Sequence, residues 1–139
     1  MTILAWSLGL VIAALGVLHI AWAFVGPRGD VSSFVPERDG APLFRPGRGA
    51  SLGVALLLLT AAALVLQKGG VLPLLGPAPV VVLGNWTVAT VFTARAIGEF
   101  HYLGFFKRVR DTRFAFWDTR LFSPLCLALG IGTAIIASR

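Results

Sequence analysis

Four polar side chains fall along one long apolar segment, at spacings that bring them towards one side of a helix. Arg95 and Glu99 are four residues apart, and Tyr102 follows Arg95 by seven. Residues at these spacings share a helical face, and Asn85, ten residues before Arg95, falls within about a quarter turn of it. Because hydrocarbon offers no partner to a charge, the four must face the bundle interior or a water-filled cavity. We expect an ion pair between Arg95 and Glu99 there.

Two interpretations of this polar stripe stay open. Intramembrane ion pairs often hold helices together, with an arginine reaching towards the interface. Alternatively, the stripe lines a cavity in which Arg95 holds an anionic group and Glu99 or His19 moves a proton. His19 and Trp22, three residues apart near the end of the first apolar segment, are expected at the depth of Glu99. A satisfied interior histidine and an interfacial tryptophan explain that pair equally well.

A basic and aromatic segment, residues 107–120, follows the stripe and reads KRVRDTRFAFWDTR. Aromatic residues among cations suit a segment that lies on the membrane surface. Alternatively, the segment caps the stripe, with Lys107 or Arg113 binding an anionic head group, Trp117 contacting it and Asp118 orienting a partner. A simpler role is also open, in which Asp118 or Thr119 is the N-cap of the last helix.

The composition indicates that the elements positioning these residues are membrane helices. Of 139 residues, 57% are hydrophobic and 13% charged, with a mean hydropathy of +0.85, whereas a soluble domain is about 25% charged. The net charge of +6 does not predict nucleic-acid binding, because the basic residues lie between apolar segments. The single cysteine, Cys126, excludes an internal disulfide, and two histidines without an acidic pair predict no metal site.

Four apolar segments are each long enough to cross a bilayer. We predict spans at 3–25, 49–66, 80–106 and 122–138, which form an all-α transmembrane four-helix bundle in a single domain, 1–139. A secretory signal is the alternative for the first span, since Ala21-Trp22-Ala23 is similar to a cleavage site. That segment lacks a positive leader, and its apolar run is too long. The connection after the second span stays apolar through residues 71–75 and is expected in the interface.

The basic residues also predict an orientation. The connections after the first and third spans hold nine lysines and arginines, against two on the opposite side. By the positive-inside rule, both basic connections are cytoplasmic and both termini are outside. The expected location is the bacterial cytoplasmic (inner) membrane. The nine residues are Arg28, Arg38, Arg45, Arg48, Lys107, Arg108, Arg110, Arg113 and Arg120.

The string RAIGEFHYLGFFKRVRDTRFAFWDTRLFSPLCL, residues 95–127, resembles the signature of a bacterial family of small membrane proteins, domain of unknown function 3995. The pair of His19 and Trp22 is similar to that family's pattern in the first span. The resemblance implies a four-helix membrane protein and brings no activity, substrate or cofactor. Phe122 stands where such proteins commonly carry tyrosine, so we assign no hydroxyl role to this position.

Three functions follow from these patterns. The first is a polar cavity in the cytoplasmic half of the bilayer that binds, or acts on, an amphipathic small molecule or lipid. The second is a transporter or channel subunit, which requires a homo-oligomer because four helices leave a narrow path. The third is a non-catalytic assembly partner of a membrane complex that docks through Gly49 and Gly53. The sequence contains no phosphate-binding glycine loop or nucleophile elbow.

Overall fold

The computed structural model describes residues 1–26, 31, 33–73 and 76–139. Its helices are α1 (Thr2–Val25), α2 (Arg48–Lys68), α3 (Ala78–Ile97), α4 (Arg113–Trp117) and α5 (Ser123–Ala137). A π-helical turn, Asp118–Phe122, joins α4 to α5, so that Arg113–Ala137 forms one long apolar helix. The described residues thus contain four helices long and apolar enough to cross a membrane. The predicted all-α transmembrane bundle is confirmed.

A short hairpin interrupts the connection between α1 and α2. Its strands are β1 (Glu37–Arg38) and β2 (Ala41–Pro42), paired antiparallel with Glu37 opposite Pro42. Asp39 and Gly40 form the turn, with φ values of 53° and 78°. Asp-Gly is a preferred pair where both central residues of a hairpin turn need positive φ. This dipeptide was the sequence signal for a hairpin that we did not predict.

The bundle consists of two closely packed helix pairs. α1 packs mainly on α2, and α3 mainly on α5. A Cβ atom added to Gly9 would come within 2.7 Å of the Leu66 side chain, and one added to Gly130 within 3.0 Å of the Thr93 backbone nitrogen. Small residues allow this close approach, which supplies the packing energy that the hydrophobic effect cannot give inside a bilayer. By contrast, nothing lies within 4 Å of a Cβ at Gly49 or Gly53, so their docking role stays a prediction.

The third span is shorter than predicted. α3 ends at Ile97, nine residues before the expected boundary at position 106. Gly98 adopts a φ of 88°, which ends the helix, and the chain then folds back so that the Phe105 N–H donates to the Ala96 carbonyl at 2.9 Å. That bond satisfies one of the carbonyl groups left unpaired at a helix end. The segment 98–112 is therefore a folded connection and not a continuation of α3.

The predicted starts of the first three helices lie close to the observed ones. The last long helix begins at Arg113 and not at Phe122. Arg28 and its neighbours 27, 29, 30 and 32, with Leu74 and Leu75 of the expected interfacial stretch, lie outside the described residues. The orientation across the membrane stays a prediction.

Candidate functional site

A buried carboxylate organises one end of the bundle. Asp118, at the start of the π-helical turn, is 0% exposed. Its Oδ1 accepts a hydrogen bond from Arg95 Nη2 at 2.8 Å, and its Oδ2 accepts from Lys107 Nζ at 2.9 Å and from the Gly104 N–H at 2.8 Å. This single side chain therefore links the end of α3, the connection 98–112 and the last helix. We call Arg95, Lys107 and Asp118 the charge cluster.

The ammonium group of Lys107 forms all its hydrogen bonds inside the protein. Besides Asp118, its Nζ donates to the Gly104 carbonyl at 2.9 Å and to Thr119 Oγ1 at 2.7 Å, so all three N–H groups have acceptors. The residue is 2% exposed. No N–H of Lys107 is left for an anionic head group, which one interpretation of the sequence places on Lys107 or Arg113. With two cations and one carboxylate, the charge cluster carries a net charge of about +1.

The structure corrects the expected ion pair of the third span, because Arg95 pairs with Asp118 and not with Glu99. Glu99 lies beyond the end of α3, where its exposed carboxylate accepts from the backbone N–H groups of His101, Tyr102 and Leu103. The expected face assumed a helix that continues to position 106. Since the helix stops at Ile97, Glu99 and Tyr102 do not continue the polar stripe.

The bonds to Glu99 predict a local pH dependence. The backbone N–H of Tyr102, helped by those of Leu103 and His101, holds the pKa of Glu99 below its ordinary value, although burial opposes the shift. Because the pKa of Glu99 is lower in the folded state, the ionised carboxylate stabilises the folded connection at pH values above the ordinary pKa of a glutamate. This contribution is lost as the pH falls through the folded-state pKa. We expect amide exchange protection at Tyr102 and Leu103 to fall between about pH 5 and pH 3.

Hydrogen exchange, corrected for intrinsic rates, measures this change. Glu99→Gln is the control, because an amide oxygen still accepts hydrogen bonds but does not titrate over this range. Protection at Tyr102 in that variant should be independent of pH. The same pH dependence in both proteins would exclude Glu99 as its source.

Asn85 lies away from the charge cluster, between two helices. It is 0% exposed, and its Nδ2 donates to the Leu64 carbonyl of α2 at 3.0 Å and to the Val81 carbonyl at 2.8 Å. Ten residues separate it from Arg95, which is about 15 Å along a helix axis. Asn85 therefore joins α2 to α3 and does not share a site with Arg95.

His19 and Trp22 pack against the first connection. The His19 Nδ1–H donates to the Leu15 carbonyl at 2.8 Å, its ring lies 5.1 Å from that of Trp22, and Trp22 lies 5.4 Å from Phe34. None of these contacts reaches Glu99. Trp22 also lines a mainly apolar cavity of about 40 Å³, which is close to the volume of one water molecule. This geometry fits a packing role for the pair.

Thr112, and not Asp118, caps the last long helix. Its Oγ1 accepts from the Ala115 N–H at 3.1 Å, and α4 begins at the next residue. The Trp117 side chain is 41% exposed and lies edge-on to Phe116. The threonine at position 112 was the sequence signal for this start, because threonine is a favoured N-cap residue. The proline at position 124 suggested a later start.

Residues of both basic connections line one cleft of about 430 Å³. The two connections therefore lie at the same end of the bundle. Two of the predicted site residues, Tyr102 and Arg113, are in the lining. The hairpin residues were missed, because a short turn in a proline-rich connection gives no sign of what it will face. The lining residues are Glu37, Arg38, Asp39, Gly40, Tyr102, Val109, Asp111, Thr112 and Arg113.

A family model described as a protein of unknown function (DUF3995) matches residues 12–133. The matched range includes the hairpin, the charge cluster and the cleft. No curated protein and no solved structure matches the chain.

Proposed function

The chain belongs to the DUF3995 family of proteins of unknown function, and on that premise we propose that it binds the polar head group of an amphipathic small molecule or lipid in the cleft between the hairpin and residues 102–113. The main support for the proposal is the cleft itself. Its volume of about 430 Å³ lies in the range of small-molecule sites. It opens at the end of four membrane-spanning helices, where the head groups of a bilayer are also found.

The charges of the lining favour a head group that carries both signs. Three acidic residues, Glu37, Asp39 and Asp111, line the cleft together with two arginines, Arg38 and Arg113. An ammonium group suits the carboxylates, whereas arginine is well suited to binding phosphate. A phosphate ester of an amino alcohol combines these groups in one molecule. The Tyr102 hydroxyl adds a donor and an acceptor.

The Arg38 side chain is exposed and open to a ligand. Its Nε lies 3.7 Å from Asp39 Oδ2, and the two side chains are 72% and 93% exposed. An ion pair of this kind contributes little to stability, so a ligand phosphate can replace the Asp39 carboxylate at small cost.

The proposal concerns binding and includes no proton transfer. One interpretation of the sequence gives that role to Glu99 or His19. The Glu99 carboxylate accepts three backbone N–H groups, and the His19 imidazole donates to a carbonyl of its own helix. Neither residue lines the cleft.

We expect Arg38→Gln to weaken binding of a lysophosphatidylethanolamine by about tenfold, because the change removes a charge-assisted hydrogen bond to phosphate. Titration of the detergent-purified protein, followed by native mass spectrometry, measures the affinity. Arg45→Gln is the matched control, since Arg45 is an exposed arginine of the same connection that does not line the cleft.

Arg45→Gln should bind within about twofold of the unchanged protein, as expected for an arginine without contact to the ligand. Equal losses in the two variants would show general attraction by the basic surface. If neither variant loses affinity, the cleft does not hold the phosphate.

A further inference from the structure

An exposed surface on α4 and the π-helical turn combines apolar rings with one guanidinium group. Phe116, Trp117 and Leu121 are 48%, 41% and 48% exposed, and Arg120 is exposed beside them. We call these four residues the aromatic patch. It does not overlap the lining of the cleft.

The aromatic patch has a defined geometry. The Arg120 guanidinium carbon lies 3.9 Å from the centre of the Phe116 ring, and Trp117 meets Phe116 edge-on at 5.4 Å between ring centres. Stacking on a ring restricts an arginine without using its N–H groups. In the part of the chain that the structure describes, Arg120 forms no ion pair and no hydrogen bond. Its donors can therefore bind an acceptor from outside the protein.

The position of the aromatic patch along its helix predicts the depth of the lipid head groups for it. It occupies the first turns of the apolar helix Arg113–Ala137, which is long enough to cross a bilayer. Rings of tryptophan and phenylalanine at a helix end suit the boundary between head groups and acyl chains. We therefore expect lipid beside this surface.

The nearby charges favour an anionic lipid. Asp118, the carboxylate nearest to Arg120 in sequence, points into the protein and is already paired with Arg95 and Lys107. It cannot neutralise Arg120 as well. The charge cluster and Arg120 together carry a net charge of about +2, which attracts an anion through the electrostatic field.

We propose that the aromatic patch binds an anionic phospholipid, with the phosphate on Arg120 and the rings of Phe116 and Trp117 against the glycerol and upper acyl chains. The two sides of the helix Arg113–Ala137 have different roles at this end. The π-helical turn directs Asp118 inward to fix the connection, and two residues later it presents Arg120 to the bilayer. The proposal does not depend on ligand binding in the cleft.

Fluorescence quenching tests the proposal. Trp6, Trp22 and Trp86 are replaced by phenylalanine, so that Trp117 is the only tryptophan and can be excited selectively over Tyr102. The protein is placed in nanodiscs in which brominated phosphatidylglycerol or brominated phosphatidylcholine is the quenching lipid at equal mole fraction. We expect Trp117 to select phosphatidylglycerol over phosphatidylcholine by roughly fivefold.

The variant Arg120→Gln should lower this selectivity by at least about threefold, because it removes the charge beside the reporter. Arg108→Gln removes an equal charge from an exposed position outside the aromatic patch and should change it by less than about 1.5-fold. Quenching by phosphatidylcholine should be the same in all three proteins, which shows that Trp117 still contacts lipid. No selectivity in the starting protein, or equal losses in the two variants, would overturn the proposal.

Discussion

Asp118→Asn should destabilise the protein by about 3 to 5 kcal/mol, because it removes the counter-charge from a buried ammonium group. Asp118 is 0% exposed and Lys107 is 2% exposed, so water cannot replace the lost carboxylate. The asparagine amide would also bring N–H donors into a place that already holds donors from Arg95, Gly104 and Lys107. Reversible unfolding in mixed detergent micelles, followed by circular dichroism, gives the free energy of unfolding.

Two comparisons make this result specific. Asp111→Asn neutralises an exposed carboxylate of the same connection and should change stability by less than about 0.5 kcal/mol. Combining Lys107→Met with Asp118→Asn should cost less than the sum of the single changes, because both break one pair. Additive losses, or an Asp118→Asn variant as stable as the unchanged protein, would contradict a shared ion pair.

Gly104→Ala should cost about 3 kcal/mol or more, because strain and overlap act together at this position. Gly104 is buried, has a φ of 83° and donates its N–H to Asp118. A Cβ there would overlap the Ile97 carbonyl oxygen and the Gly98 backbone. Backbone atoms cannot rotate away as a side chain can, so the folded connection must open. Trypsin should then cleave faster after Arg108 and Arg110.

Gly70→Ala separates the two causes. Gly70 has a φ of 73°, but nothing lies within 4 Å of its Cβ position, so alanine there meets only the conformational strain of about 1 kcal/mol. A larger loss at Gly104 than at Gly70 measures the overlap. If the two variants lose equal stability and trypsin cleaves both at unchanged rates, the segments do not pack as described.

The polar side chains of this protein were harder to predict than its helices. Arg95 has a carboxylate four residues away, yet its partner is Asp118, 23 residues along the chain. The spacing argument holds only inside a continuous helix, and Gly98 ends that helix between Arg95 and Glu99. A glycine within an apolar run is also common in helix packing. Its φ of 88° cannot be read from the residue type.

Hydropathy alone determined that this chain is a bundle of four membrane helices, because a bilayer excludes unpaired backbone groups and requires about 20 apolar residues for each crossing. Each span meets that condition by its own composition. The tertiary structure alone decided where α3 ends, which carboxylate neutralises Arg95 and Lys107, and which residues line the cleft. These features depend on contacts between segments distant in sequence. Such contacts form only when the chain folds back on itself, so no local pattern of residues predicts them.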